Sequence, residues 1–167
     1  MTSSTRASHL PTLQEPHARE EVGRQLQGLL VELLDLAALG KHLHWNVAGP
    51  HFRTLHLQLD QLVDSWRTLA DTVAERAVML GFAPDGQSAT VAADSLLHGV
   101  ERGTLEDHIV VRELTARLAE VDERARERMD ALGELDTASQ DVVIEVVRAL
   151  EEQLWMVRVQ APAVHEH

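Results

Sequence analysis

The 167-residue chain contains no cysteine and no tyrosine, and its only aromatic residues are three tryptophans and two phenylalanines. Without cysteine there is neither a disulfide framework nor a thiolate metal site, so imidazole and carboxylate are the metal donors left. With so few rings, aliphatic side chains must fill the core, and Leu, Val and Ala suit helices packed ridge into groove. Positive charge is also scarce. Lys41 is the single lysine, and 27 acidic residues against 15 Lys and Arg give a formal net charge of −12. Such a surface repels nucleic acid and anionic membranes and attracts cations. No apolar run is long enough to span a membrane and no signal-peptide pattern is visible, so a cytoplasmic protein with no membrane partner is expected.

A chain of this length reads as one domain with a sizeable core. Residues 1–18 are polar, carry two prolines and lack an apolar period, which predicts a flexible N-terminal tail; residues 161–167 read as a short C-terminal tail. Between them, residues 19–160 carry helical spacing. Val22, Leu26, Leu29, Leu33, Leu36, Gly40 and Leu43 predict a first helix from about Glu20 to Asn46. "AGP" at 48–50 stops it. Phe52, Leu55, Leu59, Leu62, Trp66, Leu69, Val73, Ala77 and Leu80 predict a second helix ending near Gly81. A short helix is expected around 90–97. A third helix should open at Thr104 with Asp107 as an N-cap pair and run to about Leu132, and a fourth should open on the capping box Thr137/Gln140 and run to about Gln160. Four long helices with a longer connection between the second and third predict an all-α fold, a four-helix bundle of ferritin-like type.

Against this plain background, Gly40 to Asp60 gathers four histidines, a tryptophan and an aspartate. His56 and Asp60 are four residues apart, as are Asp71 and Glu75, so each pair shares a helix face one turn apart, the spacing two side chains need to share a metal. The two pairs lie on nearly the same stripe. His56 and Asp71 are nevertheless about 22 Å apart along one helix, too far for a single site. An antiparallel copy related by a two-fold axis near Ser65–Trp66 sets His56 and Asp60 opposite the partner subunit's Asp71 and Glu75, generating two identical composite sites per dimer. His44, at the end of the first helix, completes the imidazole side.

The segments "KHLHWNVAGPHFRTLHLQLD" and "ADTVAERAVMLGFAPDG" resemble the signature of the Dps family (DNA-binding proteins from starved cells), the mini-ferritins. The family pattern is a histidine in an HWN triplet, a histidine twelve later, Asp four later, Asp eleven later, then Glu four later followed by Arg. His44, His56, Asp60, Asp71, Glu75 and Arg76 match it. The resemblance implies a homo-oligomer, a dodecameric hollow shell. It also implies a ferroxidase site at each two-fold pair, with hydrogen peroxide as preferred oxidant and iron stored inside as ferric oxide. His44, His56 and Asp60 would come from one subunit, Asp71 and Glu75 from its neighbour, and Trp45 beside them would quench oxidising equivalents. Hard carboxylates with imidazole suit Fe(II), with Zn(II) a competitor. The Glu-x-x-His motif of ferritins with an intrachain di-iron centre is absent from the chain.

Other titratable groups read more plainly. His42 is expected at the surface or an interface, His51 at the turn, and His165 and His167 in the tail; Trp66 should pack at the two-fold axis and Trp155 should also pack. The acid-rich stretch Glu120–Asp136, with Arg124, Arg126 and Arg128, reads as a solvated helix face. The family's acidic iron-uptake pores would make Asp130, Glu134 or Asp136 pore residues. The alternative function, a nucleoid DNA-compacting protein with secondary iron chemistry, needs clustered Lys or Arg. The N-terminal tail offers Arg6 and neighbouring Arg19 against Glu15, Glu20 and Glu21, so DNA binding is expected to be weak. A non-catalytic interaction shell would leave the composite site without metal.

Overall fold

A computed structural model describes residues 16–161; the expected tails outside this range, with Arg6, His9, His165 and His167, lie outside the described residues. The elements run α1 (Pro16–Asn46), β1 (Val47–Ala48), α2 (Phe52–Met79), α3 (Ser88–Asp94), β2 (Leu105–Glu106), α4 (Asp107–Gly133) and α5 (Thr137–Arg158). The four long helices are those the apolar spacing predicts. α1 begins four residues earlier than expected, and α3 lies at 88–94 rather than 90–97. The sequence did not announce the small parallel ladder that pairs Val47 with Leu105 and Ala48 with Glu106. It ties the α1–α2 turn to the segment entering α4.

α1 with α2 and α4 with α5 form two helical hairpins around one aliphatic core. Leu26, Leu29, Leu33, Leu36, Leu55, Leu59, Leu114, Leu118 and Leu150 are fully buried. Each such leucine contributes about 1.5–3 kcal/mol by leaving water. Gly40 occupies an apolar position because α1 and α2 touch there: a Cβ would lie 2.6 Å from the Trp66 ring and 2.7 Å from Val63. Trp66 packs against this close approach of α1 and α2. It is completely buried within the chain, and its indole N–H donates to Gln153 Oε1 on α5 (2.7 Å), while the Gln153 amide donates to Ser65 Oγ (3.0 Å). Trp155 is 57% exposed on the single chain.

The α4 surface also differs from the solvated face expected. Glu32 of α1 is 1% exposed, and Arg124 Nε donates to it at 2.7 Å with Arg128 3.5 Å away. Two of the three arginines thus turn inward. Arg126 alone pairs at the surface, with Glu151 and Asp122. The long connection is held against α1 by a reciprocal pair: Gln27 donates to the Asp85 carbonyl (2.8 Å) and receives the Asp85 N–H (2.9 Å). Asp85 in turn caps the approach to α3 by accepting from Gln87 and Thr90, and Ser95 Oγ donates to Asp35 at 2.5 Å.

The capping assignments need correction. α4 opens after Glu106, not Thr104. α5 opens on Asp136, whose carboxylate accepts from the Ser139 N–H, and Gln140 spends its amide on the Met129 carbonyl. An aspartate one residue upstream outcompetes Thr137 because its carboxylate is the stronger acceptor for the free N–H groups of a helix start.

Candidate metal centre

The end of α1 and the start of α2 are joined by a five-residue turn, and this geometry brings His44 and His56 together. Gly49 makes the turn at φ +117°, where a Cβ would also lie 2.9 Å from Asp107. His44 Nδ1 donates to the His56 carbonyl (2.8 Å), and His56 Nδ1 donates to the His44 carbonyl (3.0 Å). A carbonyl can only accept, so both rings carry a proton on Nδ1. The rings stack at 3.6 Å between centroids with a 21° tilt. This reciprocal bonding fixes the orientation of both rings and leaves Nε2 as the nitrogen each could offer to a metal.

Asp60 follows one turn after His56. Its Oδ1 lies 3.3 Å from His44 Nδ1 and accepts from the Lys41 ammonium. The Lys41 hydrogen bond holds the Asp60 carboxyl below its ordinary range; partial burial works against this, and the imidazoles and lysine charge reinforce it. His44 is buried, His56 and Asp60 are half-buried, and Trp45 beside them is 71% exposed.

Asp71 and Glu75 are exposed on α2 and make no hydrogen bond or ion pair with any described residue. Three turns along a straight helix separate Asp71 from Asp60, about 16 Å. One chain therefore brings His44, His56 and Asp60 together and leaves Asp71 and Glu75 apart from them. Arg76 faces away: its Nε donates to Ser139 Oγ (2.9 Å) and its Nη2 to Asp136 (2.7 Å). Of the three pore candidates, Asp136 has a side chain 14% exposed and bonded to Arg76 and Ser139, whereas Asp130 and Glu134 are exposed. Burial pushes the Asp136 carboxyl up, but the bonds from Ser139 and Arg76 prevail and hold it below its ordinary range.

A second acidic group was not anticipated. Donor atoms of Glu106, Asp107 and His108 lie within 4.8 Å of one another. Asp107 is buried, and its carboxylate accepts the His51 N–H and the His108 N–H, both at 2.8 Å. The His51 N–H foremost, and the His108 N–H, keep this carboxyl low against the opposing effect of burial. Asp107 thus clamps the α1–α2 turn to α4. The missing Cβ of Gly49 is the one sequence signal of that contact. His51 itself sits exposed at the α2 start with no side-chain capping bond, and His42 lies half-buried, 3.4 Å from the Glu101 carbonyl.

A ferritin-like domain matches residues 24–161. The chain is also 36% identical over 160 residues to the DNA protection during starvation protein of Mycolicibacterium smegmatis, covering 95% of this chain and 84% of that one. The chain belongs to the Dps family. Its fold agrees with solved Dps structures: Mycobacterium smegmatis Dps superimposes with a TM-score of 0.87 at 30% identity, covering 100% of this chain and 98% of that one. Dps92 from Deinococcus radiodurans superimposes with a TM-score of 0.84 at 30% identity, covering 86% and 87%. The all-α, ferritin-like bundle with a short helix in its long connection is therefore the family fold. No helix among the described residues is long and apolar enough to cross a membrane.

Proposed function

We propose that this Dps-family chain oxidises Fe(II) at sites shared between two-fold-related subunits and stores the product as ferric oxide inside a dodecameric shell. The observation that carries this reading is the reciprocal His44/His56 pair. Both rings spend Nδ1 on a carbonyl, Asp60 Oδ1 lies 3.3 Å from His44 Nδ1, and Asp71 and Glu75 make no hydrogen bond or ion pair with any described residue. A two-fold axis across α2 supplies each half-site with the other. Imidazole and carboxylate together suit Fe(II) as the substrate. Exposed apolar side chains on the lone chain, among them Trp45, Leu57, Val78, Trp155 and Val159, fit burial by further copies.

His44, His56 and Asp60 would orient one face of the iron substrate, and the partner subunit's Asp71 and Glu75 the other. Hydrogen peroxide is the fitting oxidant, because two Fe(II) ions together supply the two electrons it takes. Two Fe(II), one H2O2 and two H2O then give two FeOOH and four H+, with no hydroxyl radical released. Trp45, next to His44 and open to solvent, is placed to take up stray oxidising equivalents. This chemistry would protect against oxidative stress, and the proposed site of action is the cytoplasm.

The curated relative is named for DNA protection, and this reading ascribes protection to the removal of iron and peroxide. Lys41 is already engaged by Asp60, and the net charge is −12. An anaerobic Fe(II) titration followed by peroxide tests the proposal: absorbance should saturate at two irons per peroxide, faster than with oxygen. Undiminished hydroxyl radical in a spin trap would refute it.

A further inference from the structure

Lys41 occupies an odd position for the chain's single lysine. Every other strongly basic side chain is arginine, yet the one ammonium sits on Asp60 Oδ1, the oxygen that also lies 3.3 Å from His44 Nδ1. Lys41 and His44 are three apart on α1, so they share a face and reach the same carboxylate on α2. The contact is only partly enclosed: the Lys41 side chain is 26% exposed and that of Asp60 42%.

We propose that Lys41 is a placeholder cation, neutralising Asp60 in the metal-free chain and swinging to solvent when a divalent cation takes its place. This deepens, and rests on, the metal-site reading given above. Two physical features support it. Lys41 is the one Lys or Arg side chain among the described residues that pairs with Asp60, and it does so on the oxygen next to His44. An ammonium on a flexible stem makes a point contact that is readily exchanged, whereas a guanidinium would grip both carboxylate oxygens in a planar fork. Lysine is thus the residue that balances charge without blocking the site. Its partial exposure gives the displaced ammonium a path to water, so it need not remain beside a doubly charged ion.

The test uses the assembled full-length protein at fixed neutral pH, with Zn(II) as a redox-inert probe in titration calorimetry. Lys41→Met should tighten Zn(II) binding by at least about threefold, the scale of losing one partly screened competitor. Lys41→Arg should weaken it below wild type. Thermal melting gives a second readout with opposite signs. Lys41→Met should melt lower than wild type without metal, and gain more than wild type on saturation with Zn(II). Lys41→Gln repeats the comparison should the methionine variant assemble poorly. Binding that depends on His56 yet is equal or weaker in Lys41→Met and Lys41→Gln would overturn the placeholder alone. Binding in the wild type that is indifferent to His56→Ala would overturn the site reading, and the placeholder with it.

Discussion

Replacing Glu32 with leucine removes the single acid that two inward-facing arginines share. Glu32 is 1% exposed, and the side chains of Arg124 and Arg128 are 19% and 15% exposed. In the variant both guanidinium groups keep their burial and lose their counter-charge. Breaking one side of a buried ion pair costs about 3–5 kcal/mol, far more than the net worth of the intact pair. At about 2–4 °C per kcal/mol for a domain of this size, the melting temperature should fall by about 6–20 °C. The structure adds a discriminating control. A Cβ on Gly28 would lie 2.7 Å from Arg128 Nη2, so Gly28→Ala should push that arginine aside. Arg124, with the 2.7 Å contact, would stay on Glu32, and the loss should be the smaller of the two. A third variant replacing Glu32, Arg124 and Arg128 together with apolar residues should recover most of the lost stability, because no charge is then left buried alone. Differential scanning calorimetry of the assembled protein checks all three. A Glu32→Leu variant melting within about 2 °C of wild type would refute the reasoning, as would a triple variant no better than the single one.

Asp136→Asn should lower stability by about 1–2 kcal/mol near pH 7, since the charged acceptor of Arg76 and Ser139 becomes neutral. The folded-state carboxyl is held low, so its contribution is present above the unfolded value of about 3.9 and is lost as pH falls through the lower folded value. Wild type and variant should therefore converge in acid below about pH 3.9, and a gap that persisted or widened there would contradict the sign. Duplex DNA should show no gel shift at nanomolar protein in about 150 mM salt near neutral pH, because the acidic surface has few phosphate-binding cations to displace counterions. A shift appearing only below about pH 6.5 would point to His9 and to His17 at the start of α1, while a shift at neutral pH would favour the DNA-compacting alternative.

The long helices were legible because their apolar residues recur at helical spacing over many turns, and the aliphatic core follows from the same pattern. What escaped the sequence was contact between distant segments. Trp66 lies at the midpoint of the α2 ligand stripe, which suggested a symmetry axis. A glutamine 87 residues away claims its N–H and fixes it inside the chain. Arg124 and Arg128 looked solvated among neighbouring acids, since Glu32 is more than 90 residues distant. The α5 cap was misplaced by one residue because Asp136 competes with Thr137 for the same free N–H groups, whereas α4 opens after Glu106 with no side-chain cap at all. At the candidate site, His44 and His56 were legible as a pair, being joined by a short turn. Their reciprocal carbonyl bonds were not, because these depend on the angle at which α1 meets α2. The Lys41 contact escaped for the same reason.

The central claim is that each iron site is built by two chains, and subunit mixing tests it most directly. His56→Ala and Glu75→Ala should each abolish fast peroxide-driven Fe(II) oxidation alone. Unfolded, mixed equally and reassembled, the two variants should form mixed two-fold pairs about half the time. One site of each mixed pair then collects both defects and the other collects neither. About one quarter of all sites should be intact, and fast oxidation should return to about that fraction of wild type. Activity that stays at the level of the separate variants, with mixing confirmed by mass spectrometry, would contradict the shared site.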